Sequence, residues 1–382
     1  MGKIVQTAAG ASFLTVVSVF FCQMENYLYF CLAKTTNTMR RTILLVTIFV
    51  WMLTLTACHH GSTKQAAGTS EPVALLAERG YPQAICHQGR YYFTCQSVGG
   101  TSIDLFATDD ITKPLDATAA RQLLAANDSL THFWSPEIHR VDGKWYVYFE
   151  ADDGNTDNHH IYVMECADAD PMTGTFHLKG VIDTRAEWNY GIHPTLLQVP
   201  GGGLYLLWSG WPDRRHETET QCIYIVRMEN PWTTASSRVM ISKPEYEWER
   251  QWINPDGTRS AYPIYVNENP EPCLSPDSTQ VIVFYSASGI WTEYTSLGML
   301  TAPADADLLR PEVWTKRSEP LLPPDTVSHT STSDICLVPA ADGHPLMLYE
   351  LKRIENGAIA RDIYVRPIAW DDQGLPQLSP AQ

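Results

Sequence analysis

The chain has 382 residues, with 27 Lys+Arg against 43 Asp+Glu and a formal charge of −16. That acidity repels a phosphate backbone and no basic patch offsets it, so nucleic-acid binding is excluded. Twelve tryptophans and eighteen tyrosines, with only 18% charged residues, describe a globular chain whose partner is neutral or weakly charged, sugar rings among them.

Residues 1–58 read as a leader. "MRRTILLVTIFVWMLTLTAC", Met39 to Cys58, carries two arginines, an apolar core and a small residue before cysteine. The apolar run is short for a membrane span and reads as a secretory signal peptide at 39–58. "LTAC" resembles the lipobox of bacterial lipoproteins, which would make Cys58 the lipidated first residue of the mature protein. The segment before Met39 has its own apolar run, "ASFLTVVSVFFC", and fits this plan poorly. Met39 is read as the initiator of an upstream-extended chain, with a second hydrophobic segment as the other reading. The polar "HHGSTKQAAGTSEP" that follows supplies a flexible tether, residues 59–71.

Cys22, Cys31 and Cys58 fall in the leader, and Cys86, Cys95, Cys166, Cys222, Cys273 and Cys336 remain. They lack CxxC spacing and sit mostly in apolar strand-like runs, where a buried thiol is the default. Cys86 and Cys95 are placed to face each other across one hairpin, with a disulfide as the alternative to two thiols. Zinc is not signalled.

Past the tether one pattern recurs: a short apolar strand, a Gly or Asp/Pro turn, then an aromatic and β-branched strand. It begins at Pro82 ("PQAICHQGRYYFTCQ"), Pro136 ("PEIHRVDGKWYVYFEA") and Pro194 ("PTLLQVPGGGLYLLWSG"). Looser copies begin at Pro270 ("PEPCLSPDSTQVIVFYSAS") and Ser333 ("SDICLVPAADGHPLMLYEL"). Between copies lie two further strands, as in "HHIYVMECADADPMTGTFHLKG". Five four-stranded units without a helical period predict an all-β, five-bladed β-propeller over residues 72–382; an irregular sandwich is the competing reading. First strands of blades line a central channel. Tyr81, Pro136–Glu137, His193, Glu268 and His329 precede or begin those strands and are therefore expected to converge on one mouth.

At these motifs the chain resembles family 43 glycoside hydrolases, especially the α-L-arabinofuranosidase-like branch, from Tyr81 to about Pro380. The carrying segments are "FWSPEIHRVDGKWYVYFEADDG", "LYLLWSGW", "IYIVRMENPWT", "ISKPEYEWE", "VFYSASGIWTEYTSLGMLTAPADADLL" and "AWDDQGLP". The resemblance implies an exo-acting furanosidase or xylosidase pocket at one propeller mouth. It also implies inversion by three acids: an Asp base, an orienting and tuning Asp, and a Glu acid. "YVNENPEP" matches the segment of the acid at Glu268, with Glu271 as the competing choice; a raised pKa lets such a carboxylic acid protonate a departing glycosidic oxygen.

The two aspartates are replaced. "GYPQAI" puts Tyr81 where the family base stands, and "GIHP" puts His193 at the tuning Asp. Three readings follow. The chain is a degenerate hydrolase that keeps a sugar pocket. Or the site is rebuilt, with His193 exchanging protons and Tyr81 as a nucleophile served by Glu137 or Glu78, as in sialidases. Or the register at Tyr81 is shifted and an acid from elsewhere, with Asp104 and Asp152 as candidates, stands in for the base. Under each of them His193 is alternatively a hydrogen-bonded strand cap.

Other residues follow from the resemblance. Glu137 in "SPEI" is expected to support the pocket through hydrogen bonds to an arginine or the sugar, with Arg361 in "AIARDIYVRPIAW", expected beside the active site, as the candidate arginine. His329 in "VSHTSTSD" matches a channel histidine. One imidazole without converging carboxylates suggests calcium there only weakly, because hard cations want several oxygen ligands; no cofactor or metal is otherwise assigned. Phe133, Trp134, Trp211, Trp291 and Tyr294 are the aromatics considered for stacking on a sugar face, with Trp291 chosen for the rim. "TAPADADLL" is read as a structural connection, since it lacks the glycine turn of a calcium loop.

The expected function is exo-hydrolysis of terminal arabinofuranosyl or xylosyl residues of plant-type oligo- or polysaccharides. A catalytically inactive carbohydrate-binding propeller is the alternative. The expected protein is exported, lipid-anchored and monomeric, facing the periplasm or cell surface and touching membrane only through its anchor.

Overall fold

Runs of aromatic and β-branched residues broken by Gly, Asp and Pro make nearly all of the fold β-strand. The computed structural model describes residues 71–213, 219–253, 259–325, 327–355 and 358–378, all within the compact unit Ala66–Gln382. The leader, Cys58 and all but the last tether residue lie outside the described residues. The helices there are single 3-10 turns, and no described helix is long and apolar enough to cross a membrane.

Strand β1 (Val73–Ala77) is the first among the described residues. Next come β2 (Gln83–His87), β3 (Arg90–Gln96), β4 (Ser102–Thr108) and β5 (Arg121–Ala125), a four-stranded antiparallel sheet. A second is β6 (Thr131–Val141), β7 (Lys144–Asp152), β8 (His160–Cys166) and β9 (His177–Val181). The following strands form one ten-stranded sheet. It comprises β10 (Ile192–Val199), β11 (Gly203–Gly210), β12 (Glu219–Asn230), β13 (Thr233–Thr234), β14 (Val239–Ser242), β15 (Arg250–Ile253), β16 (Arg259–Leu274), β17 (Gln280–Ala287), β18 (Ser296–Pro303) and β19 (Thr315–Lys316). Its two antiparallel halves are joined by a short parallel pairing of β12 with β16. Then β20 (Thr330–Pro339), β21 (Pro345–Glu355) and β22 (Ala358–Pro367) pair in order, and the N-terminal β1 adds to β22; a short two-stranded sheet, β23 (Ala369–Trp370) with β24 (Pro376–Gln377), follows.

The core lies between sheets and between the two halves of the ten-stranded one. Tyr92, Ile103 and Leu105 meet Phe133, Trp145 and Phe149; Tyr148 and Val163 meet Leu206 and Trp208. Leu207 and Ile225 pack on Val283 and Leu300, and Phe284 and Met299 on Met347 and Tyr349. A further cluster joins Phe93 and Phe106 of the first sheet to Leu348 and Val365 of the last. Middle strands are covered on both faces, which is why β7 reads KWYVYFEAD with eight consecutive buried residues rather than an alternation.

Two sequence expectations resolve here. Cys86 and Cys95 are free thiols, because register sets Cys86 opposite Tyr91 and Cys95 opposite Asp104. The "TAPADADLL" segment is structural: it drives Leu308 into the core, where the Leu308 carbonyl accepts from the Trp314 indole at 3.0 Å.

Candidate active site

Five residues from widely separated segments share an uncommon backbone. Tyr81, Ser135, His193, Asn269 and Asp334 have φ of 55°, 39°, 54°, 52° and 50°, left-handed values that cost a non-glycine residue roughly 1–3 kcal/mol. All but Asp334 precede a proline. Polar residues on neighbouring strand groups hold three of the strained amides. Glu350 Oε2 accepts from the Tyr81 N–H at 3.2 Å, Ser209 Oγ from Asn269 at 3.0 Å and Ser286 Oγ from Asp334 at 3.4 Å. The same kink turns these side chains toward a shared interior, where all five line one small chamber with Glu137 and Glu271.

Above it opens a cavity of about 360 Å³, within the range of small-ligand pockets. All four larger sheets or their connections contribute: Tyr81 and Gln96; Trp134, Thr156 and Asp157; Tyr190, Ile192, His193, Gln221, Glu268, Ile290 and Trp291; Arg361. Trp291 is 41% exposed at its edge. Trp134 stacks on the buried His159 with ring centroids 4.0 Å apart.

Glu268 is fully buried apart from the face it turns to the cavity. Its Oε1 accepts the Ile290 N–H at 2.8 Å, and its Oε2 stands 3.9 Å from His193 Nδ1. The other imidazole nitrogen is 3.8 Å from Glu150 Oε1, and Ser209 Oγ lies 3.4 Å from Nδ1. Burial, helped by His159 and Arg361, holds His193 well below the usual imidazole value, so the ring is neutral at neutral pH. Burial also pushes Glu150 up to about 8, against the His193 amide and the Ser135 hydroxyl. His193 is thus a neutral group wedged between two carboxyls.

Tyr81 stacks on His193, with centroids 5.6 Å apart and planes 29° from parallel. Burial raises its phenol well above 10; Arg361 opposes this, while Asp334, Glu350 and Glu268 add to it. That environment disfavours a phenolate and hence a tyrosine nucleophile. Arg361 lies 5.8 Å over the Tyr81 ring and pairs with Glu350 at 3.3 Å. Lys352, fully buried and lowered to about 8 by desolvation, donates to the Ile290 carbonyl at 2.9 Å, as Arg361 does at 3.3 Å. One residue, Ile290, is therefore held at both its N–H and its carbonyl beside the Trp291 rim.

The structure gathers Glu268, Tyr81, His193, Trp134, Trp291 and Arg361 at the cavity, while other expected residues stand elsewhere. Phe133 is wholly buried against Phe149, because its side chain leaves the strand on the face opposite the mouth. Trp211 stacks behind Tyr190 at 3.7 Å, so Tyr190 presents the ring that faces the cavity. Glu137 belongs to the inner chamber, is pushed up to about 8 by burial and bonds His139 at 2.9 Å rather than an arginine. His329 is displaced from both cavities: its exposed imidazole bonds Glu293 Oε2 at 2.7 Å, five residues before the strained Asp334 that takes its place in the interior. Among the described residues no group of three or more His, Cys, Asp or Glu is arranged to hold a metal. Glu78 is exposed; Asp104 is taken by Arg79 and Ser102, and Asp152 by Thr131 and His132. None of these three lines the cavity.

Residues 70–376 match the sequence model of Glycosyl hydrolases family 43. The chain belongs to that family. It is 36% identical over 193 residues to the extracellular exo-alpha-(1->5)-L-arabinofuranosidase of Streptomyces avermitilis, covering 50% of this chain and 36% of that protein. It is 30% identical over 293 residues to the protein of the same name from Streptomyces chartreusis, covering 74% and 82%. The chain thus spans about a third of the first relative's length and four-fifths of the second's. Among solved structures, alpha-L-arabinofuranosidase from Lactobacillus brevis superposes with a TM-score of 0.68 at 26% identity, covering 80% of this chain and 94% of that one.

Set within family 43, the arrangement keeps a protonatable glutamate in a sugar-sized cavity and puts neutral rings where the resemblance implies aspartates. Sequence reasoning missed Glu150, Glu350, Asp334, Lys352 and Asp157. The repeated X-Pro step at the strand starts was a usable signal for the strained positions. Nothing in the sequence marked the second-strand carboxyls Glu150 and Glu350, which sit inside apolar runs.

Proposed function

We propose that this family 43 member is an exported exo-glycosidase that removes terminal arabinofuranosyl or xylosyl residues, with Glu268 as general acid in a site otherwise rebuilt. The carrying observation is Glu268: it is buried, faces the cavity, and is oriented by the Ile290 amide with His193 at 3.9 Å. A glutamate so placed can protonate the departing oxygen, and His193 stands where it adjusts the acid's affinity for its proton. The names of the two Streptomyces relatives support both the substrate class and export.

The architecture we infer is a five-bladed propeller. The ten-stranded sheet is then two blades bridged by the β12–β16 pairing, and the core clusters are the five interfaces between successive blades. A monomer with a lipid anchor at Cys58 completes the proposal; loss of palmitate labelling in Cys58→Ser checks the anchor.

A second reading, carbohydrate binding without turnover, is favoured by one observation: both groups at the expected aspartate positions, Tyr81 and His193, are held neutral. Purified protein assayed against aryl arabinofuranosides, xylosides, galactosides and plant oligosaccharides separates the two. Turnover abolished by Glu268→Gln establishes the enzyme. Calorimetric binding with no product over long incubation establishes the binding module instead.

A further inference from the structure

Inversion needs a second carboxylate across the sugar from the acid, and the position the resemblance assigns to it holds Tyr81. Among the described residues, the carboxylates that line the outer cavity are Glu268 and Asp157. The inner-chamber acids Glu137, Glu271 and Asp334 lie below the Tyr81 and His193 rings, which wall off both spaces. Glu350 is committed to the Tyr81 amide, Arg361 and Ser333.

Asp157 is partly exposed, so water reaches it. It belongs to the second sheet's β7–β8 connection, whereas Glu268 belongs to β16. Tyr190, Ile192, His193 and Gln221 line the same cavity and come between the two segments in sequence. Its loop is unusually well fixed for a rim. Asp157 sits in a one-turn 3-10 helix, Thr156–Asn158, whose preceding Asn155 accepts the Asp157 N–H at 3.1 Å. Below it His159, fully buried, reaches the Thr156 carbonyl at 2.9 Å and the His132 carbonyl at 3.1 Å, and carries Trp134 on its face. A carboxylate on a pinned loop is the kind of group that can act at one defined point.

We propose that Asp157 is the general base of this site, facing Glu268 across the bound sugar. The assignment rests on the glycosidase reading above. In the step, a water oxygen bonds to the anomeric carbon as the bond from that carbon to the leaving oxygen breaks. The water's proton passes to the Asp157 carboxylate, and the Glu268 proton passes to the leaving oxygen. The products are the sugar of inverted configuration and the free alcohol, and exchange with solvent resets both carboxyls.

The test uses Asp157→Asn and Asp157→Ala on 4-nitrophenyl arabinofuranoside and xyloside, with and without sodium azide. Azide is an anionic nucleophile that needs no base. The expected result is a kcat loss of about 10²–10⁴-fold with KM little changed. Azide then restores turnover and yields the inverted glycosyl azide, visible by NMR. Glu268→Gln on an unactivated oligosaccharide is not restored, because there the leaving group is what lacks its proton. Full activity in both Asp157 variants overturns the assignment, as does a loss confined to KM or a loss that azide leaves untouched. Those outcomes leave the glycosidase reading standing. A parent protein without turnover on any substrate overturns both.

Discussion

His193 Nδ1 lies 3.9 Å from Glu268 Oε2, so whatever charge position 193 carries is felt directly by Glu268, the proposed acid. In the natural chain that charge is zero at neutral pH, because burial holds the imidazole well below its ordinary value. His193→Asp replaces it with an anion. Two carboxyls at this range resist ionising together, so the proton on Glu268 is held to higher pH by about one unit or more. The alkaline limb of kcat/KM against pH, which reports loss of the acid's proton, is expected to move up accordingly. His193→Asn, neutral like the parent, leaves that limb in place.

Glu150 makes the fold itself pH-sensitive. Its folded value, about 8, stands above the 4.5 of an ordinary glutamate because burial penalises the charged form. Its stabilising contribution is therefore complete below about pH 4.5 and lost as pH rises through 8. The melting temperature of the parent is expected to fall from pH 5 to pH 8, and Glu150→Gln to flatten that decline. Identical slopes in the two proteins would show that the carboxyl is not held protonated. His193 acts in the opposite sense: its folded value is depressed, so its contribution is present above about 6.5 and lost on acidification.

Much of this fold was legible because it is written in repeats. "PEIHRVDGKWYVYFEA" and its four relatives announce hairpins, and the X-Pro steps fall on the residues that the structure strains. Glu268 was picked out instead by the resemblance of "YVNENPEP" to the family's acid segment, and it too stands just ahead of an X-Pro step. His329 misled because its own segment lacks the proline, leaving the strand start five residues adrift of Asp334. Phe133 and Trp134 show a second limit. They are neighbours in sequence, yet one is core and the other cavity wall, and only the register of β6 against β7 decides which. Asp157 was invisible because a loop carboxylate gains meaning only from what faces it.

Gly80 is where the strained Tyr81 amide meets its acceptor. A Cβ added there would sit 2.2 Å from Glu350 Oε2, and Glu350 cannot simply swing away, since Tyr81, Arg361 and Ser333 hold it. Gly80→Ala is expected to destabilise by about 1–3 kcal/mol through overpacking, read as a lowered midpoint in urea. It should also raise KM, because Arg361 and Tyr81 move with Glu350. A variant as stable as the parent would mean the loop yields instead.

Lys352 and Arg361 both donate to the Ile290 carbonyl, while the Ile290 N–H serves Glu268. Lys352→Met keeps the length of the side chain and removes one of those donors. The expected result is a several-fold rise in KM, from a loosened Trp291 rim, together with a smaller fall in kcat from a less firmly oriented acid. Substrate-induced quenching of tryptophan fluorescence should weaken in parallel. A change in kcat alone would place Lys352 outside the rim's support.

Tyr81→Asp asks whether the lost carboxylate can be returned. The backbone favours the change: φ is 55° there, a conformation that aspartate adopts more readily than tyrosine. The electrostatics are mixed. Arg361, 5.8 Å over the present ring, would stabilise the new anion, and Glu350, which receives the Tyr81 N–H, would oppose it. Because Arg361 is charged at every working pH, the anion is expected to form. Turnover on an aryl arabinofuranoside should then rise, and the gain identifies which residue was serving as base. With Asp157 as the natural base, Asp157→Asn costs about 10²–10⁴-fold in the parent. In the Tyr81→Asp background it costs only a few-fold, because the introduced carboxylate can take the proton. The four proteins form a double-mutant cycle whose kcat values measure that hand-over. Strict additivity of the two changes would show that the carboxylates never share a role. Activity created by Tyr81→Asp with His193→Asp in a protein otherwise inert would instead mark the natural chain as a sugar-binding descendant of an enzyme.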